Sequence, residues 1–311
     1  MIFGAVRRAL SDPLAAGRSL ARRMNLTRSK SAADSIFRKH AAMAHQAGLR
    51  GVNVIMSYDC DTPEDATAAL RLFDQLEKRR IPAAFAVPGA MLREAAEVYG
   101  SLAKRGAAFL NHGALPHAEF RDGRYHALTF YNEMSDQQVV QDMTEGHRLV
   151  TEVTGSAPRG FRAPHFGYFQ KPEQRALVYR VAREHRYAFC SDTLPATGYE
   201  KGPIFDVGGL VEIPLSGSYA DPHTILDSWN YLADVVNFRL REDYLTLFSQ
   251  TVDFFASRKL PALLNYYVDP AHVIGSDTFI NAIDHAQDRG VRFVSFDQLI
   301  ALSGGQPARN N

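Results

Sequence analysis

Between Val52 and Asp61 the chain reads Val-Asn-Val-Ile-Met-Ser-Tyr-Asp-Cys-Asp, an apolar, β-branched stretch that stops abruptly on two carboxylates. A run of this length and make-up is a buried strand. Carboxylates at the C-terminal end of such a strand can point into a ligand pocket. Two so close repel each other, so at neutral pH a metal ion or an arginine has to neutralise them.

From Val52 onward, strand-like and helix-like segments alternate. Thr62-Pro63-Glu64-Asp65 is a helix start, with Thr as N-cap, Pro at the first helical position and acids in the first turn. Leu70, Phe73 and Leu76 supply that helix's buried face, and Lys78-Arg79-Arg80 complement its C-terminal end. Ile81 to Val87 is the second strand, closed by Pro88-Gly89, and a helix from about Leu92 to Lys104 leads to a third strand, Ala107 to Asn111. After a long loop, Ser135-Asp136-Gln137-Gln138 is a capping box that opens a helix ending near Gly155. A fourth strand is expected at Arg159–Arg162 and a helix at Pro172–Glu184. Further strands are expected at Ala188–Ser191, Val211–Leu215, Pro261–Tyr267 and Arg292–Ser295, with helices near Arg241–Arg258 and Asp277–Asp288. Seven or eight strand–helix units predict an α/β fold, a (β/α) barrel of parallel strands over residues 51–302.

Residues 1–50 differ in character. Arg7, Arg8, Arg18, Arg22, Arg23, Arg28, Lys30, Arg38 and Lys39 face only Asp12 and Asp34, with Met24, Ile36 and Phe37 at loosely helical spacing. This basic helical arm is expected to pack on the barrel's N-terminal side or on a partner subunit of a homo-oligomer; the alternative is a peripheral anchor to anionic lipid. Residues 303–311 read as a disordered tail. A net charge of +1 provides no global electrostatic case for nucleic acid. No apolar run approaches the roughly 18–20 residues needed to cross a bilayer, and Ser11-Asp12-Pro13 interrupts what would be the apolar core of a signal peptide. Two cysteines, Cys60 and Cys190, are no disulfide framework, which fits a reducing, cytoplasmic setting.

Barrel enzymes gather their reactive groups at the C-terminal ends of strands. Here those ends bring Asp59, Cys60 and Asp61; Asn111, His112 and, a few residues on, His117; Arg162 and His165; Cys190 and Asp192; Tyr219, Asp221 and His223; and Tyr266, Tyr267, Asp269 and His272. One carboxylate with two imidazoles and a side open to water is the donor set of a hydrolytic metal centre. A second carboxylate left over can serve as general base.

Over roughly residues 50–300 the sequence resembles the polysaccharide deacetylases of carbohydrate-esterase family 4 type. Asp59-Cys60-Asp61 resembles the family's Asp-Asp or Asp-x-Asp motif, Ile81 to Gly89 its second strand, and Asn111-His112-Gly113 its metal-histidine motif. Phe161-Arg162-Ala163-Pro164-His165 resembles its Arg-x-Pro motif. The resemblance implies a distorted (β/α) barrel holding one divalent metal ion, usually zinc, that polarises an N-acetyl carbonyl and lowers the pKa of the attacking water. It also implies roles: Asp59 as general base held by Arg162, Asp61, His112 and His117 as metal ligands, and a late histidine, here His272, as general acid. His165, Asp192 and His223 are the candidates for substrate binding, with Trp229 beside them; Asp192 is alternatively a partner that orients Arg162, or a helix cap.

Two spacings depart from the family's pattern. Its histidines stand four apart, whereas His112 and His117 are five apart with Pro116 between; five residues of ideal helix turn about 500°, so the rings would diverge by about 140°. An irregular loop has to bring both to one metal. The family's late histidine precedes a proline, but here Asp269-Pro270 stands there and His272 lies two residues beyond. The reading is a metal-dependent deacetylase of an N-acetylated sugar, an intracellular glycan precursor of surface-polysaccharide synthesis. A non-sugar amide or cyclic-ureide hydrolase, and a barrel that binds metal and glycan without turnover, are the alternatives.

Overall fold

The computed structural model describes residues 13–234 and 236–302, the backbone alone for 13–29. Arg7, Arg8 and the expected tail at 303–311 lie outside the described residues, as do the side chains of Arg18, Arg22, Arg23 and Arg28. Helix α1 (Pro13–Gln46) precedes β1 (Val52–Asp59), α2 (Pro63–Lys78), β2 (Ala84–Val87), α3 (Gly89–Glu94), α4 (Ala96–Lys104) and β3 (Ala108–Asn111). A hairpin, β4 (Ala118–Arg121) and β5 (Arg124–Ala127), is followed by α5 (Asp136–Thr154), β6 (Gly160–Arg162), α6 (Pro172–Glu184), β7 (Phe189–Ser191) and α7 (Pro195–Lys201). The chain continues through β8 (Phe205–Val207), β9 (Leu210–Glu212), β10 (Leu232–Asp234), β11 (Arg239–Leu240), α8 (Asp243–Ser257) and β12 (Ala262–Val268). It ends with α9 (Pro270–Val273), α10 (Thr278–Asp288), β13 (Arg292–Phe293) and α11 (Phe296–Leu302).

The expected fold is borne out. Parallel strands run in the order β12-β1-β2-β3-β6-β7-β9, and β8 adds an antiparallel edge on β9. Short β13 pairs in parallel with the first residues of β1. The circle closes beyond the ends of the ladder, where Ser216 N donates to Asn265 O at 2.9 Å and Asn265 N donates to the Ser216 hydroxyl at 3.0 Å. Period-two alternation sorts β1: Val54, Met56, Tyr58 and Cys60 join the outer core under the helices, while Ile55 joins Ala84, Ala86, Leu110 and Leu263 in the interior. Phe296 and Leu299 of α11 close the interior from below.

Local signals mostly hold. Thr62 and Asp65 form the capping box of α2, and Ser135 with Gln138 that of α5, which ends on Gly155 at φ 76°. The buried face of α2 centres on Leu72, Phe73 and Leu76, with Leu70 only half-buried. The single helix expected over 92–104 is broken at Ala95 into α3 and α4. The hairpins β4–β5 and β8–β9 were not expected, although both carry turn dipeptides whose two residues sit at positive φ: Asp122 and Gly123 at 53° and 79°, Gly208 and Gly209 at 63° and 85°.

The C-terminal half of α1 packs on the barrel itself. Phe37 packs among Tyr199 of α7 and Phe254 and Phe255 of α8, with its ring tilted or edge-on to theirs. Ala41, Ala44 and His40 are buried with it, and His40 Nε2–H donates to Leu263 O of β12 at 2.9 Å. This part of the arm therefore occupies an outer helix position beside β12.

Candidate metal and catalytic site

The end of β1 sets the first two groups. Cys60 N donates to Ala86 O at 2.9 Å, which carries the β1–β2 ladder one residue further. Alternation then sends Cys60 outward and Asp59 and Asp61 into the barrel mouth. Cys60 is fully buried, its Sγ 4.0 Å from Tyr58 O, so it is a core residue rather than a ligand.

His112 follows β3 and is held by a fastened turn. Buried Asn111 donates to Met143 O at 2.8 Å and to the Tyr187 hydroxyl at 3.0 Å, and accepts from Gly113 N at 3.0 Å. Asp142 accepts from Ala114 N and Leu115 N at 3.0 and 2.8 Å, and from the Tyr131 hydroxyl at 2.6 Å. Gly113, at φ 77°, lies so close that an added Cβ would stand 2.3 Å from Asp142 Oδ2. Within this turn His112 Nδ1 is 2.8 Å from Arg162 O. A carbonyl only accepts, so Nδ1 carries the proton and Nε2 is left bare toward the site. Burial, with His117 beside it, pushes the His112 imidazole well below its ordinary pKa.

The five-residue spacing is resolved by an irregular, non-helical turn. His117 stands at the root of the β4–β5 hairpin, where Leu128 N donates to His117 O at 2.7 Å and the Thr129 hydroxyl donates to Pro116 O at 2.7 Å. Its ring comes within 4.4 Å of the His112 ring, centroid to centroid. Asp61 Oδ1 is 3.1 Å from His117 Nδ1 and 3.6 Å from His112 Nε2. One donor atom from each of Asp61, His112 and His117 lies within 4.8 Å of the others. Burial alone would raise the Asp61 carboxyl, but the imidazoles of His117 and His112 outweigh it and hold it well below the usual range.

Asp59 sits beside this cluster, its Oδ2 3.8 Å from His112 Nε2. Arg162 Nη1 donates to its two oxygens at 3.2 and 3.4 Å, and Nη2 donates to the Ser57 hydroxyl at 2.7 Å. Arg162 does not win outright: burial raises Asp59 to about 7 against the arginine's opposing charge. His272, displaced in sequence, is returned by the short turn α9. Its Nδ1 lies 2.9 Å from the Ser228 hydroxyl and 3.9 Å from Asp269 Oδ2, and its ring stands edge-on to Trp229 at 4.6 Å. Burial lowers it to about 3, with the charge of Asp61 opposing. Asp269 is pushed well above the usual carboxylate range, by burial first and then by Asp65, Asp61 and Asp59.

A cavity of about 270 Å³ opens over the cluster, lined by Asp61, His117, His165, Tyr168, Asp227, Trp229 and Tyr267 among others. His165 reaches it from an unusual backbone, φ 49°, with Nε2–H donating to Leu128 O and its ring stacked 4.6 Å from Phe130. Two expected substrate residues do not reach it. Asp192 is fully buried beside Glu212, whose Oε1 accepts from Asp192 N at 2.9 Å, and neither Asp192 carboxylate oxygen has a hydrogen-bond partner. Burial, then Glu212, pushes its pKa well up. The short strand β7 ends one residue earlier, and alternation turns Asp192 into the wall. His223 is exposed, edge-on to Tyr199 at 5.9 Å, because the 218–223 excursion folds back on α1, where Tyr219 stacks on Phe254 and bonds Asp34. Asp227 was missed: buried, raised to about 7 by burial, and accepting from Asn230 N at 2.7 Å and Nδ2 at 2.8 Å. The Asp-x-x-Asn spacing, which lets the aspartate accept from a backbone N–H of its own loop, was its signal.

A second cavity, of about 210 Å³, lies below, lined by Ala83, Ala84, Ala107, Ala108, Phe189 and Val294. Its charged lining residues, Arg159 and Asp297, pair with each other at 3.3 Å, so the chemistry belongs to the upper mouth.

A parallel barrel that gathers Asp, His and His beside an Arg-paired carboxylate has the form of a barrel hydrolase with a candidate metal centre. Residues 50–181, β1 through most of α6, match the model of the polysaccharide deacetylase family, in line with the resemblance carried by the motifs. The family implies a hydrolase acting on amides. Among solved structures, a Mycobacterium smegmatis protein assigned to the polysaccharide deacetylases is similar at a TM-score of 0.62 and 17% identity, over 84% of this chain and 94% of the other. A Pseudomonas aeruginosa protein assigned likewise is similar at 0.59 and 14%, over 83% and 92%. The allantoinase PuuE is similar at 0.58 and 13%, over 83% and 91%. At these identities the likeness concerns the fold. No curated protein matches the chain.

Proposed function

We propose that the protein is a metal-dependent deacetylase of an N-acetylated sugar. One observation carries the reading: the Asp61–His112–His117 donor triangle with Arg162-paired Asp59 at 3.8 Å from it. The residues suit a divalent cation. Two imidazole nitrogens and a carboxylate oxygen are a zinc-type donor set. His112 is oriented by its Nδ1–H bond so that Nε2 is free, and His117 Nε2 is buried without a partner. When bound there, zinc would polarise the acetyl carbonyl and lower the pKa of water.

The chain's own residues do the rest. Asp59, held by Arg162 and near 7, takes the proton of the attacking water at neutral pH. Burial lowers His272 and raises Asp269, and the Ser228 hydroxyl links the two side chains, a path along which the pair can share one proton. As the C–N bond breaks and its electrons go to nitrogen, that proton passes through His272 to the leaving amine. The aromatic walls of the cavity, Tyr168 and Trp229, offer flat faces to a sugar ring. We take the substrate to be an intracellular glycan precursor and the setting to be cytoplasmic, on the support of two free, buried cysteines.

The test is acetate release from N-acetylglucosamine oligomers and nucleotide-linked N-acetyl sugars, with elemental analysis of the wild type and of Asp61→Ala and His112→Ala. Metal near one equivalent, lost in both variants together with acetate release, is expected. Unchanged metal content in the variants, or cleavage of cyclic ureides in place of N-acetyl sugars, would overturn the reading.

A further inference from the structure

Asp65 carries the strongest inference outside the groups already assigned. An acidic residue at the third position of a capping box ordinarily serves only its own helix start. Asp65 is fully buried and does more. Its Oδ2 accepts from Thr62 N at 3.0 Å and from the Thr62 hydroxyl at 2.7 Å. Its Oδ1 accepts from Ala271 N at 2.9 Å, across 206 residues of sequence. Thr62 follows Asp61 directly, and Ala271 directly precedes His272.

The β1–β12 ladder that would otherwise hold these two segments together stops at Tyr58 and Val268. Beyond it, this one carboxylate joins the peptide after the metal carboxylate to the peptide before the acid histidine. We propose that Asp65 is a positioning residue that sets where His272 stands relative to the Asp61 cluster; the inference rests on the reading of His272 as the proton donor to the leaving amine. All three groups facing Asp65 are donors, so an amide in its place turns an N–H toward an N–H, and the tie loosens on one side. A misplacement of about 1 Å at a reacting group costs on the order of 100-fold.

The test separates positioning from plain structure by the leaving group. An N-acetylglucosamine tetramer loses an amine that needs a proton, whereas 4-nitrophenyl acetate loses a phenolate that does not. Asp65→Asn, Asp65→Ser, His272→Ala and the Asp65→Asn/His272→Ala double variant are compared on both substrates at saturating Zn²⁺, with thermal unfolding alongside. We expect Asp65→Asn and His272→Ala each to lose at least about 10-fold on the tetramer and to stay within about 3-fold on the aryl ester. The double variant should be no worse than His272→Ala alone. If His272→Ala is selective but the Asp65 variants lose equally on both substrates, or add fully to His272→Ala, Asp65 has no positioning role and the histidine reading survives. If His272→Ala itself shows no selectivity, the histidine reading falls and Asp65's role falls with it.

Discussion

Replacing His40 by glutamine should flatten part of the protein's acid sensitivity. His40 lies on α1, buried against β12, with Nε2–H donating to Leu263 O and Nδ1 without a partner. Burial lowers its pKa from 6.5 to about 4. A folded-state pKa below the unfolded one means that the unfolded chain binds the extra proton first. Stability is therefore intact above about pH 6.5 and is lost as pH falls toward 4. At about 1.4 kcal/mol per pKa unit, the full loss is about 3 kcal/mol, of which about 2 kcal/mol has accrued by pH 5. Gln keeps an N–H in the place of Nε2–H and does not titrate. Urea unfolding of the wild type and of His40→Gln at pH 8, 7, 6 and 5 isolates the term, because every other titrating group cancels in the difference. The gap between the two proteins should shift by about 2 kcal/mol in the variant's favour from pH 8 to pH 5. A gap that stays constant within about 0.5 kcal/mol would mean that His40 titrates as it does in the unfolded chain and that α1 is not docked on β12.

Asp59→Asn should lower acetate release by about 10²- to 10⁴-fold while metal content by elemental analysis stays at the wild-type level; full activity in that variant would remove Asp59 as base. The base must be ionised to work, so kcat/KM should fall on the acid side with an apparent pKa between that of an ordinary carboxylate and about 7, since a bound cation acts on Asp59 in the same sense as Arg162. Gly113→Ala should destabilise the protein by about 2 kcal/mol or more and reduce bound metal, because the new Cβ would stand 2.3 Å from Oδ2 of Asp142, the carboxylate whose Oδ1 fastens the His112 turn; thermal unfolding and elemental analysis check both.

Much of the architecture was open to reading along the chain. The β1 run, the helix start at Thr62, the capping box at Ser135 and the helix end at Gly155 are local devices whose physics is complete within a few residues, and they appear where expected. Alternation along β1 was enough to send Asp59 and Asp61 to one side and Cys60 to the other. The Asp122-Gly123 turn was equally local, and was passed over because its flanking strands are short and largely polar or exposed, without the apolar alternation that marks a half-buried strand; at Gly208-Gly209 the strand after the turn was expected and the three-residue strand before it was not.

Residues whose placement the sequence spacing left open or misjudged share a different cause. Helical spacing argued against His117, but an irregular turn at the hairpin root, unconstrained by helix geometry, brings it to Asp61. His272 stood on the wrong side of a proline, and one short helical turn carried it back to Ser228 and Asp269. Asp192 and His223 were at the right sequence distance from strand ends, yet one faces the wall and the other folds away onto α1.

The chain's order of residues thus determined the elements, the strand faces and the types of group delivered to the barrel mouth, because helix caps and strand alternation are decided by neighbours a few positions apart. Which of those groups meet was decided only by the closed barrel. Contacts such as Arg162 with Asp59 or Asp65 with Ala271 span 103 and 206 residues, and the loops that make them follow no period that a sequence displays.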